Sequence, residues 1–239
     1  MKRPLSGRKA LVTGGTRGIG RAIAQRLRDA GAKVTVTGTR PGSKAPIGCA
    51  YAAADFGDDA AAEAFAAWAG RQGFGILVNN AGVNKISPFA DIDAGDYDRI
   101  QRVNLRAPFL LCRALLPGMA KRRWGRVVNV TSVFGVVSRE GRGAYSASKF
   151  GLDGLTASLA AEAACDGVLV NSLAPGFVDT DMTRRILGAA GVQKLVARIP
   201  IGRLARPAEI AALAYWLCSP DNTYASGQTF LIDGGFTRV

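Results

Sequence analysis

Histidine is absent from all 239 residues of this chain. That excludes a Ser-His-Asp triad and any histidine-based metal centre, leaving tyrosine, lysine, serine and carboxylates as acid–base groups. Cysteine is scarce and scattered: Cys49, Cys112, Cys165 and Cys218 form no CxxC or other ligand spacing. Neither a disulfide framework nor a zinc site is indicated, and free thiols are expected. No apolar run approaches the roughly 20 residues of a membrane span. The basic start MKRPLSGRK leads into a strand-like stretch without a signal-peptide core, so a cytoplasmic location away from membranes is expected. Acidic residues are the other shortage: 18 Asp and Glu face 31 Lys and Arg, a formal charge of +13. The longest basic cluster, Lys121-Arg122-Arg123, continues through Trp124 and Gly125 to Arg126. No helix-turn-helix, zinc or OB-like pattern accompanies it, so nucleic acid is not an expected partner. An acidic protein, an anionic substrate or a merely arginine-rich surface remain as readings of the charge.

What the chain does contain centres on Ser132, Tyr145 and Lys149. Tyr145 and Lys149 open a helical run, YSASKFGLDGLTASLAAEA, and their spacing puts both side chains on one face, one turn apart. Ser132 ends the apolar run RVVNVTS, which reads as a buried strand. A phenol, an ammonium and a hydroxyl gathered this way can move a proton to or from an alcohol or carbonyl. A free phenol with a pKa near 10 is a poor catalyst at neutral pH; lowering it by about 3 units needs roughly 4 kcal/mol, which a neighbouring cation can supply.

The order of segments is that of one α/β domain over residues 1–239. A strand (Ala10 to Val12) enters a turn with Gly14, Gly15, Gly18 and Gly20. A helix carrying Ile19, Ile23, Ala24 and Leu27 follows, then a strand from Val34 to Thr37. This is a βαβ unit whose glycine turn, spaced TGxxxGxG, presents free N–H groups to an anion at a helix N-terminus. After the second strand comes Gly38-Thr39-Arg40, with no carboxylate until Asp55. An acid there would favour NAD, whereas arginine pairs with a 2′-phosphate; Arg40, with Arg17 inside the turn, therefore points to NADP(H).

The stretch from Arg40 to Tyr51 is too short and too rich in Pro and Gly for a crossover helix, so a loop is expected. CAYAAADF reads as the third strand, Asp58 to Gln72 as a helix and GILVN as the fourth strand, ending in Asn79-Asn80-Ala81-Gly82. Asp96 to Arg123 reads as one helix kinked at Pro108 and ending near Pro117, with Asn104 inside it on the surface. The Tyr145 helix runs to about Asp166, VLVNSLAP is the sixth strand, and a helix from Pro207 to Ser219 precedes the last strand, QTFLI.

Five of these segments together resemble the short-chain dehydrogenase/reductase family, in its NADP-using group: Thr13-Gly14-Gly15-Thr16-Arg17-Gly18-Ile19-Gly20, Asn79-Asn80-Ala81-Gly82, Asn104, Ser132 with Tyr145 and Lys149, and Pro175-Gly176 followed by Thr180. The resemblance spans Lys9 to Gly235. It implies a Rossmann-type doubly wound parallel sheet of seven strands in order 3-2-1-4-5-6-7, assembled as a homotetramer or homodimer through the Asn104 and Tyr145 helices. It assigns Tyr145 as proton donor to a carbonyl oxygen. Lys149 would lower the phenol pKa and hold the nicotinamide ribose. Ser132 would hydrogen-bond the substrate oxygen, and Asn104 would hold a water of the proton relay. Asp55 and Phe56 would flank the adenine and Asn80, Ala81 and Gly82 its ribose; Pro175, Gly176, Val178 and Thr180 would line the nicotinamide side, and Thr39 the turn beside Arg40.

Within the family, KRRWGRVVNVTS, NSLAPGFVDTDMT and PIGRLARPAEIA resemble 3-oxoacyl-acyl carrier protein reductases. That implies a 3-oxoacyl thioester as substrate and an acyl carrier protein as partner. Arg123 occupies a position of the carrier-docking kind, but Asp166 stands where a second basic residue is expected. The short Arg40–Tyr51 connection resembles instead members acting on small cyclic or sugar-like alcohols and ketones. A dinucleotide-binding regulator without turnover is the alternative outside enzymes, and the presence of both Tyr145 and Lys149 weighs against it. Residues 178–203 are expected to cover the substrate as a lid, with Arg184, Arg185 and Arg198, and Arg139 and Arg142 near Tyr145, as candidate contacts for an anionic group.

Overall fold

The computed structural model describes residues 3–239. Seven strands, β1 (Lys9–Val12), β2 (Lys33–Gly38), β3 (Ala50–Ala53), β4 (Ile76–Asn79), β5 (Gly125–Val130), β6 (Val168–Pro175) and β7 (Thr229–Ile232), form one sheet. Its order is β3-β2-β1-β4-β5-β6-β7, and every neighbouring pair is parallel. The helices are α1 (Gly18–Asp29), α2 (Asp59–Gly70), α3 (Ala94–Gln101), α4 (Ala107–Lys121), α5 (Gly143–Ala163), α6 (Asp181–Val196) and α7 (Pro207–Cys218). This is the expected Rossmann-type topology in a single domain. Among the described residues no helix is long and apolar enough to cross a membrane.

Both faces of the sheet are covered, so the central strands carry apolar residues at successive positions and not only at alternate ones. In β4, Ile76 and Val78 face α1 and α7, where they pack with Ile23, Leu27 and Ile210. Leu77 between them turns to the other face and joins Phe65 of α2, Leu111 of α4 and Ala160 of α5. Each such fully buried aliphatic side chain contributes about 1.5–3 kcal/mol.

The connection from β2 to β3 is a loop without a helix, as its composition predicts. The segment read as one proline-kinked helix differs. It consists of α3 and α4 joined by a π-helical turn, Arg102–Arg106, and α4 continues through Pro117 to Lys121. Pro108 stands two residues after the π turn, in backbone that is helical on both sides. Pro117 forfeits one bond, which the burial of Leu110, Leu111, Leu115 and Met119 on the same helix outweighs. The irregularity is thus a wider turn around Asn104 that ends just before Pro108, in an otherwise continuous helical run.

A polar ladder crosses this apolar interior. Asn79 of β4 donates through Nδ2 to Asn129 Oδ1 of β5 at 2.8 Å, and Asn129 Nδ2 donates to Thr156 Oγ1 of α5 at 2.8 Å. Ser172 of β6 donates to the same Thr156 oxygen at 3.0 Å. All four residues are buried, so removing the middle one strands polar groups on both sides. Asn129→Ala is expected to lower the unfolding free energy by about 2–4 kcal/mol in urea titrations; a loss under about 0.5 kcal/mol would show that the ladder is not structural.

Candidate active site

The carboxyl ends of β1, β2 and β4 are tied into one cradle by Thr13 and Asn80. Thr13 Oγ1 accepts the N–H groups of Asn80 and Ala81, both at 2.9 Å. Asn80 Nδ2 donates to the carbonyls of Thr13 and Gly14 at 2.9 and 3.2 Å, and Gly14 N–H donates to Thr37 Oγ1 at 3.1 Å. The Asn80 amide nitrogen is therefore spent on holding the glycine turn. Gly14, with φ of +63°, sits in the left-handed region that favours glycine. At Gly20 a Cβ would lie 2.4 Å from Asn80 Nδ2, so the turn and the start of α1 can close only without a side chain there.

This cradle is one end of a cleft of about 360 Å³ along the strand ends. Gly14, Thr16, Arg17, Gly18, Ile19, Gly20, Thr39, Asp55, Phe56, Asn80, Ala81 and Gly82 line it, together with Ser132, Tyr145, Lys149, Pro175, Gly176, Val178 and Thr180. Of the residues expected at a cofactor, only Arg40 lies off the wall, exposed on the turn after β2. Arg99, Val103 and Thr131 also line the cleft without any signal in the sequence. Arg99 comes from α3, whereas Val103 and Thr131 directly precede Asn104 and Ser132. A dinucleotide fits this shape: the first turn of α1 carries no acidic residue and its free N–H groups face the glycine turn, the arrangement that holds a diphosphate.

Asn104 is not on the surface. It is fully buried in the π turn. Its Oδ1 accepts Val83 N–H at 2.9 Å, while Nδ2 donates to Val83 O at 2.9 Å and to Ser148 Oγ at 3.0 Å. Both amide protons are consumed, so this side chain clamps the segment after β4 to the first turns of α5. The expectation of a surface asparagine failed because helical periodicity gives no sign of a π turn.

On that clamped helix, Lys149 Nζ donates to Val130 O at 2.8 Å and lies 5.7 Å from the Tyr145 ring centroid. Ser132 Oγ accepts the Phe134 N–H at 3.2 Å, which fixes the serine at the end of β5. Burial pushes the Lys149 ammonium down to about 8. Burial also raises the Tyr145 phenol, opposed by a hydrogen bond with Ser132 and by the positive charge of Arg142. Arg142 thus adds a second positive charge near the phenol, beside the Lys149 that the spacing suggested. At neutral pH the phenol keeps its proton, ready to donate.

A family model described as Enoyl-(Acyl carrier protein) reductase matches residues 14–237. The chain is 40% identical to a 3-oxoacyl-[acyl-carrier-protein] reductase of Aquifex aeolicus, covering 98% of this chain and 99% of the relative. The chain belongs to the short-chain dehydrogenase/reductase family. Among solved members, a 3-oxoacyl (acyl-carrier-protein) reductase from Agrobacterium tumefaciens with NADP bound superposes with a TM-score of 0.90 at 33% identity, covering 98% of this chain and 95% of that one. A gluconate 5-dehydrogenase from Burkholderia cenocepacia in complex with NADP and tartrate gives 0.91 at 31% identity, covering 100% and 98%. This short-chain dehydrogenase/reductase is therefore an NAD(P)-dependent oxidoreductase acting on CH–OH groups.

If Tyr145 gives the proton and Lys149 assists as an ammonium, carbonyl reduction needs the first protonated and the second charged. Tyr145 keeps its proton past its ordinary range, whereas Lys149 loses its charge as pH rises through about 8. The kcat/KM for the reduced dinucleotide, which reports the free enzyme, is expected to fall above about pH 8. In Lys149→Arg that limb should move to higher pH; an unmoved limb would assign it to another group.

Proposed function

We propose that the protein reduces a carbonyl to a secondary alcohol with NADPH, and that the favoured substrate is a 3-oxoacyl thioester. The observation that carries this reading is the meeting of Ser132, a protonated Tyr145 and Lys149 in one dinucleotide-shaped cleft. Bound NADPH would supply the hydride. The glycine turn and the N-terminus of α1 would hold its diphosphate, and Lys149 its nicotinamide ribose. Ser132 would orient the carbonyl oxygen, and Tyr145 would give it a proton. Tyr145→Phe is expected to lower kcat by about 10²–10⁴-fold with cofactor affinity kept. Unchanged turnover would end this assignment.

The 2′-phosphate preference is supported by the absence of any carboxylate between Gly38 and Ala54, by Arg17 in the cleft wall and by Arg40 at the end of β2. Wild-type kcat/KM should favour NADPH over NADH. Arg17→Ala combined with Arg40→Ala should cut that preference at least about tenfold, since each guanidinium–phosphate bond is charge-assisted. A wild-type preference for NADH would overturn the cofactor choice. Residues 178–203, which include α6 with its Gly188 kink, would act as the lid. The outer face of α4 and α5, with Phe109 and Phe150 partly exposed, would seat a second copy of the chain.

Docking of an acyl carrier protein has less support. Arg123 Nη1 is bound to Asp166 Oδ1 at 2.8 Å, so an acid of the chain itself competes for the candidate docking charge. That pair favours a second reading, in which the substrate is a small, free alcohol or ketone of sugar-like type. The likeness to a gluconate 5-dehydrogenase lends it weight. The deciding measurement is NADPH oxidation with an acetoacetyl thioester. A kcat/KM of about 10⁴ M⁻¹s⁻¹ or more supports the thioester; negligible consumption with NADPH binding intact supports the small ketone.

A further inference from the structure

Three residues before Tyr145, at the cap position of α5, stands Arg142. Its carbonyl accepts the Ser146 N–H at 2.7 Å, so it already belongs to the first turn, where residues three apart are neighbours. Among the described residues the buried cations are Arg126, Arg142 and Lys149. Carbonyls hold two of them. Arg126 donates to Gly125 O at 2.8 Å and to Asn222 O at 2.9 Å, and Lys149 donates to Val130 O at 2.8 Å. Arg142 is only 6% exposed, yet among the described residues its side chain makes no hydrogen bond and no ion pair. A cation taken out of water is costly unless an opposite charge or a set of acceptors meets it. This one has no standing partner.

What lies beside it is the acid of the reaction. The guanidinium carbon of Arg142 is 4.9 Å from the centre of the Phe134 ring. Phe134 gives its N–H to Ser132 Oγ at 3.2 Å, and Ser132 is hydrogen-bonded to the Tyr145 phenol. The ring therefore ties the guanidinium to the Ser132–Tyr145 pair, and its apolar bulk keeps the local dielectric low. The charges brought by other elements are of a different kind. Arg17, Asp55, Arg99 of α3 and Asp181 of α6 share the cleft with Tyr145, and Arg139 and Glu140 precede α5. All six are exposed, where water and salt screen them. Lys149 is buried but loses its charge as pH rises through about 8. Burial lowers Arg142 from its ordinary range, yet a guanidinium stays charged across the working range of pH.

We propose that Arg142 is the counter-charge of the phenolate that Tyr145 becomes during turnover. In carbonyl reduction the Tyr145 O–H bond breaks as the alcohol O–H bond forms, and the phenol oxygen stays negative until a proton returns from water. The unpaired guanidinium meets that charge when it appears. An interaction stronger with the charge that develops than with the resting state is the kind that speeds a step. The positive charge of Arg142 already opposes the burial that raises the phenol. Arg142 does not line the cleft, so it acts through Tyr145 as a positioning residue. This role rests on Tyr145 as the acid.

The test reads the phenol directly. Tyrosine ring-carbon resonances are followed against pH by NMR in the NADP⁺-loaded protein, and the Tyr145 signal is the one missing from Tyr145→Phe. At the pH where a phenol ionises Lys149 is already neutral, so Arg142 is the buried cation that remains beside it. In the neutral variants Arg142→Met and Arg142→Gln the Tyr145 ionisation should move up by at least about one pH unit, a tenfold change in the ionisation constant. Arg142→Lys, which keeps a charge, should recover part of that change. Circular dichroism and NADPH affinity are the controls for folding. Coincident ionisation in the wild type and the neutral variants overturns the role and leaves Arg142 as packing for Phe134. So does a wild-type phenol that is still protonated when the fold is lost. Reduction of an acetoacetyl thioester is read on the same samples. A shifted ionisation without turnover in any of them supports Arg142 and counts against the substrate. Full turnover in Tyr145→Phe would instead remove the acid itself, a failure of the earlier reading that the NMR titration tells apart.

Discussion

A buried ammonium held by a single backbone carbonyl sets the terms for the rest of this structure. Lys149 Nζ is bound to Val130 O at the end of β5, and that bond seats α5 against the sheet at the point where the cleft must be built. The backbone beside it has to give way: at Gly135 a Cβ would come within 3.0 Å of the Lys149 carbonyl. Asn104 then fixes the same helix from the other side through Ser148. The cation is tolerated because it is poised to lose its charge near neutrality, and a group so poised is worth more to proton chemistry than to stability.

What could be read in the sequence was what lies close together along the chain. The glycine turn, the Tyr145–Lys149 spacing and the missing crossover helix each depend on a few adjacent residues, and each is found where expected. The order of strands came from the resemblance and holds. The π turn was not legible, because five residues of wider helix leave the apolar pattern almost unchanged. Nor was the role of Asn104, whose partners Val83 and Ser148 are distant in sequence. Arg99 reaches the cleft from α3, whose local sequence says nothing of ligands. Electrostatics was the least legible of all: the cation beside the phenol depends on which side chains end up buried, and that is a property of the packed molecule.

The large positive charge likewise changes meaning once the chain is folded. The basic run around Trp124 is engaged within the chain at three points, although Lys121, Arg122 and Arg123 stay exposed and only Arg126 is buried. Arg122 donates to Phe74 O at 2.8 Å, Arg123 pairs with Asp166, and Arg126 is buried against Asn222. Arg8 and Arg126 both lie close to the Trp124 ring, at 3.7 and 5.0 Å from its centre. These residues fasten the start of β5 to its neighbours, which is a packing role for side chains usually counted as surface charge.

The bare loop between β2 and β3 has a consequence for handling the protein. Gly42 has open space where a side chain would stand, and Ile47 is almost wholly in solvent. Lengthening such a loop adds only about 0.6 kcal/mol for each doubling. That makes this edge of the sheet a natural place to graft a reporter peptide or an affinity handle, remote from Tyr145 and from the face that would seat a second copy.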